Sequence, residues 1–348
     1  MVELVISSQS RQPILPLISY NHNHIPMKAA VLHQLGQAPK YEAFEEPVAH
    51  HSNHILMTVK AAALKNLDKG RASGQHYASY KHLPVVVGTD GVGVLEDGTR
   101  VYAAGITGTM AEKALIDKNK YTILPDGIDD ITAAALPNAV LGADLALRYR
   151  AYMEKGKTIL INGATGITGK VAIQLAKYYG ANKIIATGRN AEILETLPDL
   201  GADVAISLKQ SDEAVVKQIK DIHAVTPIDI VLDYLWGHPV ELIIAALKGS
   251  GLHEDSRLVR IVTVGDMAGA SIPITSGIFR SAAIEIAGSG FGSLPKEAFD
   301  QFNTEAIPTM MQLAINNQIH IDTEAVQLAD VETVWNERHK GKRIVLVM

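Results

Sequence analysis

The most regular pattern of apolar and polar positions lies at residues 158–190, TILINGATGITGKVAIQLAKYYGANKIIATGRN. The apolar run at 159–161 is typical of a strand buried in a parallel sheet, and a glycine-rich turn follows it directly. Residues 170–179 carry apolar positions at helical spacing and end at Gly180, where a helix C-terminus favours a residue that adopts positive φ. A second apolar run at 183–187 completes a unit of strand, turn, helix and strand.

The alternation of strand and helix patterns continues beyond this unit. Helices are predicted at 191–200 and at 211–223, the second with Ser211 as its N-cap, and a strand at 202–208. The runs DIVLDYLWG, RLVRIVTVG and AAIEIAGSG predict further strands, and PVELIIAALKG predicts a helix between the first two. Alternation of this kind builds a parallel, doubly wound sheet with helices on its faces.

The regions on either side of the predicted sheet have a different pattern. Residues 27–124 contain short apolar or alternating runs separated by glycine, Asp-Gly and proline, which predicts a partly open β-barrel. Asp129 and Asp130 indicate the start of a helix that leads to the glycine-rich unit. A long helix is predicted at 296–316, and the last two strand-like runs, AVQLADV and KRIVLVM, follow it. The closing strand is expected to return to the barrel.

We therefore predict an α/β protein of two domains and an N-terminal extension. The barrel domain comprises residues 27–126 and 293–348, and the nucleotide-binding domain comprises residues 127–292. Residues 1–26 are interrupted by proline and lack the basic and apolar pattern of a secretory signal, so we expect an extension that precedes the folded protein.

The composition mainly excludes other classes of protein and other kinds of site. A chain of 348 residues, 47% hydrophobic and 20% charged, is typical of a globular protein with two domains. The formal net charge of −5 provides no electrostatic attraction to nucleic acid, and no apolar run approaches the ~20 residues of a membrane span. Because the chain has no cysteine, disulfides, thiolate metal sites and a cysteine nucleophile are excluded. A cytoplasmic location is expected, since reducing compartments do not rely on disulfides.

The glycine-rich turn carries the first candidate chemistry. Gly166 lets the backbone approach a pyrophosphate closely, and Gly169 lets the following helix pack tightly on the strand. Ala164 replaces the first glycine of the usual G-x-G-x-x-G pattern, so the match is incomplete. The helix N-terminus would present its free N–H groups to the phosphates. The predicted contacts are Gly163, Ala164, Thr165, Gly166, Ile167 and Thr168.

The end of the second strand indicates which dinucleotide binds. A site for NAD usually has an acidic residue there, which accepts a hydrogen bond from the ribose 2′-hydroxyl. This chain instead has Gly188, Arg189 and Asn190. An arginine can pair with a 2′-phosphate, so the sequence predicts NADPH, with a solvated surface arginine as the alternative interpretation.

The order of these segments resembles the medium-chain dehydrogenase/reductase family, and within it the zinc-independent quinone oxidoreductase branch. The resemblance rests on MKAAVLHQLGQAPKYE, VKAAALKNLDKGRASGQHY, LPVVVGTDGVGVLEDGTRVY, LPDGIDDITAAALPNAV, INGATGITGKVAIQLAKYYGA and GKRIVLVM. It implies a GroES-like barrel beside a Rossmann domain, with NADPH in the cleft between them. It also implies cofactor contacts at Asp233, Tyr234, Val264, Gly265, Gly288 and Ser289. Gly142 departs from the branch, which usually has threonine or serine there.

The resemblance also bears on metal and substrate. Zinc-dependent members have a cysteine near Lys65 and Asn66 and a histidine where this chain has Thr89, so a catalytic zinc is not expected. The implied reaction is hydride transfer to an acceptor that is already electrophilic, a quinone or an α,β-unsaturated carbonyl. The substrate cleft should be lined by Lys65, Asn66, Asp68 and Tyr77. Tyr77 is the candidate proton donor, although it could equally pack a loop.

Three alternatives remain at this point. The histidines of AHHSNH at 49–54 could suggest a metal, but the segment has no matching carboxylate and reads as a loop. Tyr77 and Lys81 have the Y-x-x-x-K spacing of short-chain reductases, yet they precede the glycine turn and Pro84 argues against a helix there. A non-catalytic NADPH sensor would keep the cofactor site without turnover.

The segment 282–290 also predicts an assembly. It is the last strand of the parallel sheet, its centre is apolar, and an exposed apolar edge can pair with a second edge. Since related reductases join these edges across a two-fold axis, the resemblance implies a homodimer.

Overall fold

The computed structural model describes residues 26–248, 257–337 and 341–348. The predicted N-terminal extension lies outside the described residues except for Pro26, which opens the first strand. The described part contains a barrel-like sheet and a parallel sheet, joined through a shared helix layer. This is the α/β architecture that the sequence pattern predicts.

The barrel is built around one long strand, β3 (His54–Ala63). It pairs with β15 (Arg343–Val347), β5 (Asp90–Val94) and β7 (Lys113–Ile123). The sheet order is β14-β15-β3-β5-β6-β7 with an additional pairing of β3 with β7, and a smaller sheet, β2-β1-β4, lies beside it, which gives a barrel-like arrangement. The pairing of β15 with β3 confirms that the chain returns to the barrel at its end. The strands are β1 (Pro26–Leu32), β2 (Lys40–Glu45), β3 (His54–Ala63), β4 (Val85–Val86), β5 (Asp90–Val94), β6 (Arg100–Gly105), β7 (Lys113–Ile123), β14 (Thr323–Gln327) and β15 (Arg343–Val347).

The second sheet has six strands in the order β10-β9-β8-β11-β12-β13, and every pairing is parallel. Its strands are β8 (Thr158–Asn162), β9 (Lys183–Gly188), β10 (Val204–Ser207), β11 (Ile230–Asp233), β12 (Val259–Thr263) and β13 (Ile284–Gly288). The order reverses between β8 and β11, and ligands bind beyond the carboxyl ends of parallel strands at such a point. The sequence prediction of a doubly wound sheet with β13 at its edge is confirmed.

The helices cover the faces of the parallel sheet and link it to the barrel. They are α1 (Asn66–Ser73), α2 (Asp130–Leu145), α3 (Ile167–Tyr178), α4 (Ala191–Leu200), α5 (Asp212–Val225), α6 (Gly237–Leu247), α7 (Ser276–Ser281), α8 (Lys296–Gln301), α9 (Ile307–Ile315) and α10 (Val331–Trp335). The predicted N-cap Ser211 of α5 is confirmed, and the helix start predicted at Asp129 and Asp130 is confirmed by α2, which the Asp129 side chain caps. None of the helices in the described ranges is long and apolar enough to cross a membrane.

Helix α2 explains why the two sheets form one molecule. It packs against α3 on the parallel sheet and against β3, β5 and β15 of the barrel. One hydrophobic cluster consequently runs from Val92 in the barrel through Leu136 of α2 to Ile159 in the parallel sheet. The domain boundaries predicted at 126/127 and 292/293 stay a prediction, because the core is continuous across them.

The structure differs from the predicted elements in several places. Helix α1 was not predicted, because NLDKGRAS has no apolar stripe and buries Asp68 and Ala72 instead. The predicted helix 296–316 contains a π-helical segment, Phe302–Ala306, between α8 and α9. The run AVQLADV is strand only in its first half and then becomes a short 3₁₀ turn, Leu328–Asp330.

Candidate active site

A cleft of about 1000 Å³ lies between the parallel sheet and the barrel. Its sheet wall follows the carboxyl ends of successive strands, where doubly wound folds bind their ligands. The residues of this wall that lie at or just beyond the strand ends are Gly163, Gly188, Arg189, Tyr234, Leu235, Val264, Gly265, Ser289 and Gly290. The facing wall comes from the start of α1 and from the beginning of β15.

The glycine turn between β8 and α3 is closed by backbone contacts. Gly163 has φ +90, and its N–H donates to the Thr187 carbonyl at 3.1 Å. A Cβ at Gly169 would lie 2.5 Å from the Gly163 carbonyl oxygen, so only glycine permits this packing of helix on turn. Gly166 is the N-cap of α3, and no side chain caps the helix there. The first N–H groups of α3 thus remain available to an anion.

A buried polar chain holds the strand ends behind the turn. The Asn162 amide donates to Asp233 at 2.7 Å and accepts from the Thr187 hydroxyl at 2.6 Å. Asp233 also accepts from the N–H groups of Leu235 and Trp236. Burial raises the pKa of Asp233, and these hydrogen bonds oppose the rise. Asp233 therefore shapes the loop beyond β11, and its side chain does not line the cleft.

Arg189 lies at the end of β9 with an exposed side chain that lines the cleft. Its guanidinium makes no hydrogen bond or ion pair with any described residue, whereas Asn190 beside it caps α4 by accepting from the Ile193 N–H. The arginine is thus placed at the rim of the cleft with its donors free. Gly341 and Lys342 line the same end from the start of the last strand.

The barrel wall contains a buried cluster of opposite charges. The Lys65 ammonium is 1% exposed, donates to Asp90 at 2.9 Å and lies 3.5 Å from Asp68. Asp68 accepts further hydrogen bonds from the Lys65 backbone N–H at 3.0 Å and from the Thr89 hydroxyl at 2.7 Å. Burial raises the pKa of Asp90, and the Lys65 ammonium opposes that rise. A charge so deeply buried is tolerated only when it is paired in this way.

Arg343 adds a second buried cation beside this cluster. Its side chain lines the cleft, and one guanidinium nitrogen donates to the Leu64 carbonyl at 3.4 Å. The buried Nε of Arg343 and the buried hydroxyl of Tyr234 have no hydrogen-bond partner among the described residues. Burial lowers the pKa of Arg343, although Asp68 and Asp90 counteract this. Two under-satisfied polar groups at the cleft are what a ligand with acceptor atoms would satisfy.

Tyr77 lies in the turn after α1 and lines the cleft. It is 73% exposed, and its ring lies 4.1 Å from that of His76. Asn66, at the start of α1, donates weakly to the sulfur of Met267 at 3.8 Å across the cleft. Lys81 does not line the cleft, and Tyr77 is not on a helix, so the short-chain reductase arrangement does not form.

The structure brings most of the predicted site residues to this one cleft. Those that line it are Lys65, Asn66, Tyr77, Gly163, Thr165, Gly166, Ile167, Thr168, Gly188, Arg189, Tyr234, Val264, Gly265 and Ser289. Those that do not are Asp68, Ala164, Asn190, Asp233 and Gly288. The expectation that Asp68 lines the cleft is wrong, because its carboxylate points into the buried cluster and is 0% exposed. The catalytic and binding roles themselves stay predictions.

Several lining residues were not predicted, including Arg343, Phe291, Leu294 and Phe299. The sequence pattern KRIVLVM predicted a strand that contains Arg343, but it gave no indication that this arginine lines the cleft. Gly142 does line the cleft, and a Cβ there would make only ordinary contacts at 3.6 Å with Thr168 and Val264. Within the described ranges, no three histidine, aspartate or glutamate side chains are grouped to hold a metal ion, including the histidines at 49–54.

Comparison with known proteins agrees with this architecture. Residues 168–311 match the model of the zinc-binding dehydrogenase family. A probable NADPH-dependent quinone reductase from Emericella nidulans is 27% identical over 89% of this chain and 96% of its own length. The chloroplastic NADPH-dependent alkenal/one oxidoreductase of Arabidopsis thaliana is 38% identical, but the match covers 44% of this chain and 45% of that protein.

Solved structures share the fold. A mycobacterial quinone oxidoreductase superposes with a TM-score of 0.79 at 19% identity, over 92% of this chain and 100% of the other. A probable oxidoreductase from Mycobacterium abscessus gives a TM-score of 0.77 at 23% identity, over 94% and 100%. A barrel beside a six-stranded parallel sheet, with a glycine turn at the cleft, defines a two-domain dehydrogenase fold. In sequence and in fold the chain is thus similar to the medium-chain dehydrogenase/reductase family, in its quinone oxidoreductase-like branch.

Proposed function

We propose that this protein is an NADPH-dependent oxidoreductase that reduces a quinone or an α,β-unsaturated carbonyl compound. The observation that carries the proposal is the cleft itself. It joins an uncapped glycine turn for a dinucleotide to a barrel wall with Lys65, Asn66 and Tyr77. Relatives named as an NADPH-dependent quinone reductase and an NADPH-dependent alkenal/one oxidoreductase support the same reaction.

The residues present fit NADPH. The free N–H groups at the start of α3 suit the diphosphate, and Gly166 leaves room for its close approach. Arg343 and Tyr234 line the same cleft, and their buried, unpaired donors suit phosphate or ribose oxygens. Arg189, at the end of β9, is placed for a 2′-phosphate. When bound, NADPH supplies the hydride.

The chain's own contribution is to bind and orient the acceptor. We infer that Asn66 and Tyr77 donate hydrogen bonds to its carbonyl oxygen, since both line the cleft with polar atoms. Tyr77 is the proposed proton donor, with water as the source that replenishes it. Lys65 acts indirectly, because its ammonium is committed to Asp68 and Asp90.

We propose that no zinc takes part. The chain has no cysteine, and Thr89 uses its hydroxyl to hold Asp68. Lys65 supplies the positive charge between the two carboxylates of this wall. Incubation with a chelator, followed by assay and metal analysis, should leave turnover unchanged. Stoichiometric zinc, removed together with activity, would contradict this.

The decisive measurement is steady-state oxidation of NADPH, and separately of NADH, with a panel of quinones, enones and alcohols. Turnover with quinones or enones and none with alcohols is the expected result. Tight NADPH binding without turnover of any acceptor would support the sensor alternative instead.

We further propose a homodimer formed through β13, in a reducing cytoplasmic compartment. Strand β13 is the edge of the parallel sheet, and Ile286 at its centre is only half buried. Proline at Ile286 would remove a backbone donor on both sides of a two-fold contact. Light scattering should show a dimer for the unmodified protein and a shift toward monomer for Ile286→Pro. An unmodified protein that remains monomeric would disprove the contact, and cell fractionation tests the location.

A further inference from the structure

The sheet order indicates which end of the cleft receives the acceptor. The phosphate-binding turn follows β8, and Arg189 follows β9 on one side of it. If the 2′-phosphate lies toward β9, the opposite half of the dinucleotide must extend toward β11, β12 and β13. The acceptor then lies where the chain leaves β13, at Ser289 and Gly290, because the hydride must reach it directly.

This end of the cleft carries a stacked aromatic pair. The rings of Phe291 and Phe299 lie 5.4 Å apart at an interplanar angle of 15°, and both residues line the cleft. Phe291 follows β13 by a few residues, and Phe299 lies on α8. Phe291 is nonetheless 49% exposed, so much of its ring has no protein partner among the described residues. An apolar ring left open inside a cleft is a surface that a ligand can cover.

The barrel side provides a second pair at the same cleft. The rings of His76 and Tyr77 are 4.1 Å apart with an interplanar angle of 31°. Met267, 69% exposed, adds a polarisable side chain to the lining. Both walls of the cleft thus contribute aromatic rings to its lining, and flat conjugated molecules stack on such rings.

We propose that the acceptor is a planar, conjugated molecule with fused or aryl rings, such as a naphthoquinone or an aryl enone, and that Phe291 determines this preference by stacking on it. This inference rests on the proposed function, which it narrows from any quinone or enone to the aromatic ones. Compact aliphatic enones gain little from Phe291, since they have no ring to stack.

Two readouts test the inference in Phe291→Leu, which keeps an apolar side chain and removes the ring. The first is the dissociation constant of naphthol, a bicyclic phenol that accepts no hydride, measured by titration calorimetry in the presence of NADP⁺. The second is the ratio of kcat/KM for naphthoquinone to that for methyl vinyl ketone. Phe279→Leu is the matched control, because Phe279 is 44% exposed on α7 and does not line the cleft.

Phe291→Leu should raise the naphthol dissociation constant and lower the kcat/KM ratio by roughly three- to tenfold, the range of one aromatic contact. Phe279→Leu should change neither. Unchanged naphthol binding in Phe291→Leu, or an equal loss in the control, would overturn the inference. Naphthol binding that depends on Phe291, in a protein that turns over no acceptor, would support the aromatic site and refute the proposed reaction.

Discussion

The parallel sheet builds its wall of the cleft largely from backbone, whereas the barrel builds its wall from buried charged side chains. On the sheet side, Gly163, Gly166 and Gly169 lie within a few residues of one another, and their carbonyl and N–H groups shape the turn. On the barrel side, Lys65 and Asp90 come from different parts of the chain, and Arg343 joins them from the last strand.

The difference shows how each wall can fail. A tightly packed backbone turn is destabilised by an added side chain, because its Cβ would clash with neighbouring backbone atoms. A buried charge cluster is spoiled by removing one charge, because the remaining partners keep their desolvation cost and lose their compensation. The sheet wall should therefore be sensitive to small enlargements and the barrel wall to neutral isosteres.

The largest effect is expected for Lys65→Met. It leaves Asp68 and Asp90 buried without the ammonium that pairs with both, so the free energy of unfolding should fall by about 3–5 kcal/mol. Urea denaturation measures this. Lys113→Met is the control, because its pair with Glu46 is partly exposed and should contribute less than about 1 kcal/mol. Similar losses in both variants would contradict the buried-cluster interpretation.

The same variant gives a pH test with a defined sign. Burial already raises the pKa of Asp90, and loss of Lys65 should raise it further. A carboxyl with a raised folded-state pKa favours folding at low pH, and this contribution is lost as the pH rises through the raised value. The stability deficit of Lys65→Met relative to the unmodified protein should thus shrink as the pH is lowered from neutral. A deficit that is constant with pH would count against protonation of Asp90.

On the sheet wall, two neighbouring glycines should respond differently to alanine. Gly169→Ala places a Cβ 2.6 Å from the Ala164 Cα and should destabilise the fold by about 1–3 kcal/mol. Gly166→Ala meets only the Gly163 carbonyl at 3.4 Å, so stability should change by less than about 1 kcal/mol. Its methyl group would instead crowd the phosphates of the cofactor. NADPH binding should therefore weaken by roughly tenfold or more. Thermal unfolding measures the effect on stability, and NADPH titration measures the effect on binding. If the two variants changed stability and NADPH binding equally, the different roles given to Gly166 and Gly169 would be refuted.

Arg189→Asp tests the cofactor end. A charge-assisted hydrogen bond to a 2′-phosphate contributes roughly 1.5–3 kcal/mol, so the preference for NADPH over NADH should vanish or invert. The measurement is the ratio of the two dissociation constants. Arg280→Asp, an exposed arginine on α7 outside the cleft, controls for net charge. An unmodified protein that binds NADH as tightly as NADPH would rule out this role for Arg189.

The smallest effect is expected for Tyr77→Phe. General acids usually contribute 10²–10⁴-fold, but Tyr77 is 73% exposed and water can replace its hydroxyl, so kcat should fall by less than about tenfold. The pH profile of kcat should change with it. An unchanged kcat and profile would mean that Tyr77 only packs against His76.

Much of the sheet wall could be predicted from the sequence. The glycine spacing, the apolar runs and the cap at Ser211 are local patterns, and local patterns determine elements whose contacts are close in sequence. Helix α1 escaped prediction, since its polar sequence carries no amphipathic signal. The barrel strands were predicted as runs, but their pairing in the order β14-β15-β3 joins residues far apart in the chain.

By itself the sequence determined the alternation of strands and helices in the parallel sheet, the glycine turn and the arginine at the end of β9, because these depend on backbone freedom and local periodicity. Only the tertiary structure decided that Asp68 faces Lys65 and Thr89 rather than the cleft, and that Arg343 lies beside them. It likewise decided that Phe291 and Phe299 stack at the acceptor end. The physical reason is that side-chain direction and pairing across distant strands follow from register and burial, which no local pattern encodes.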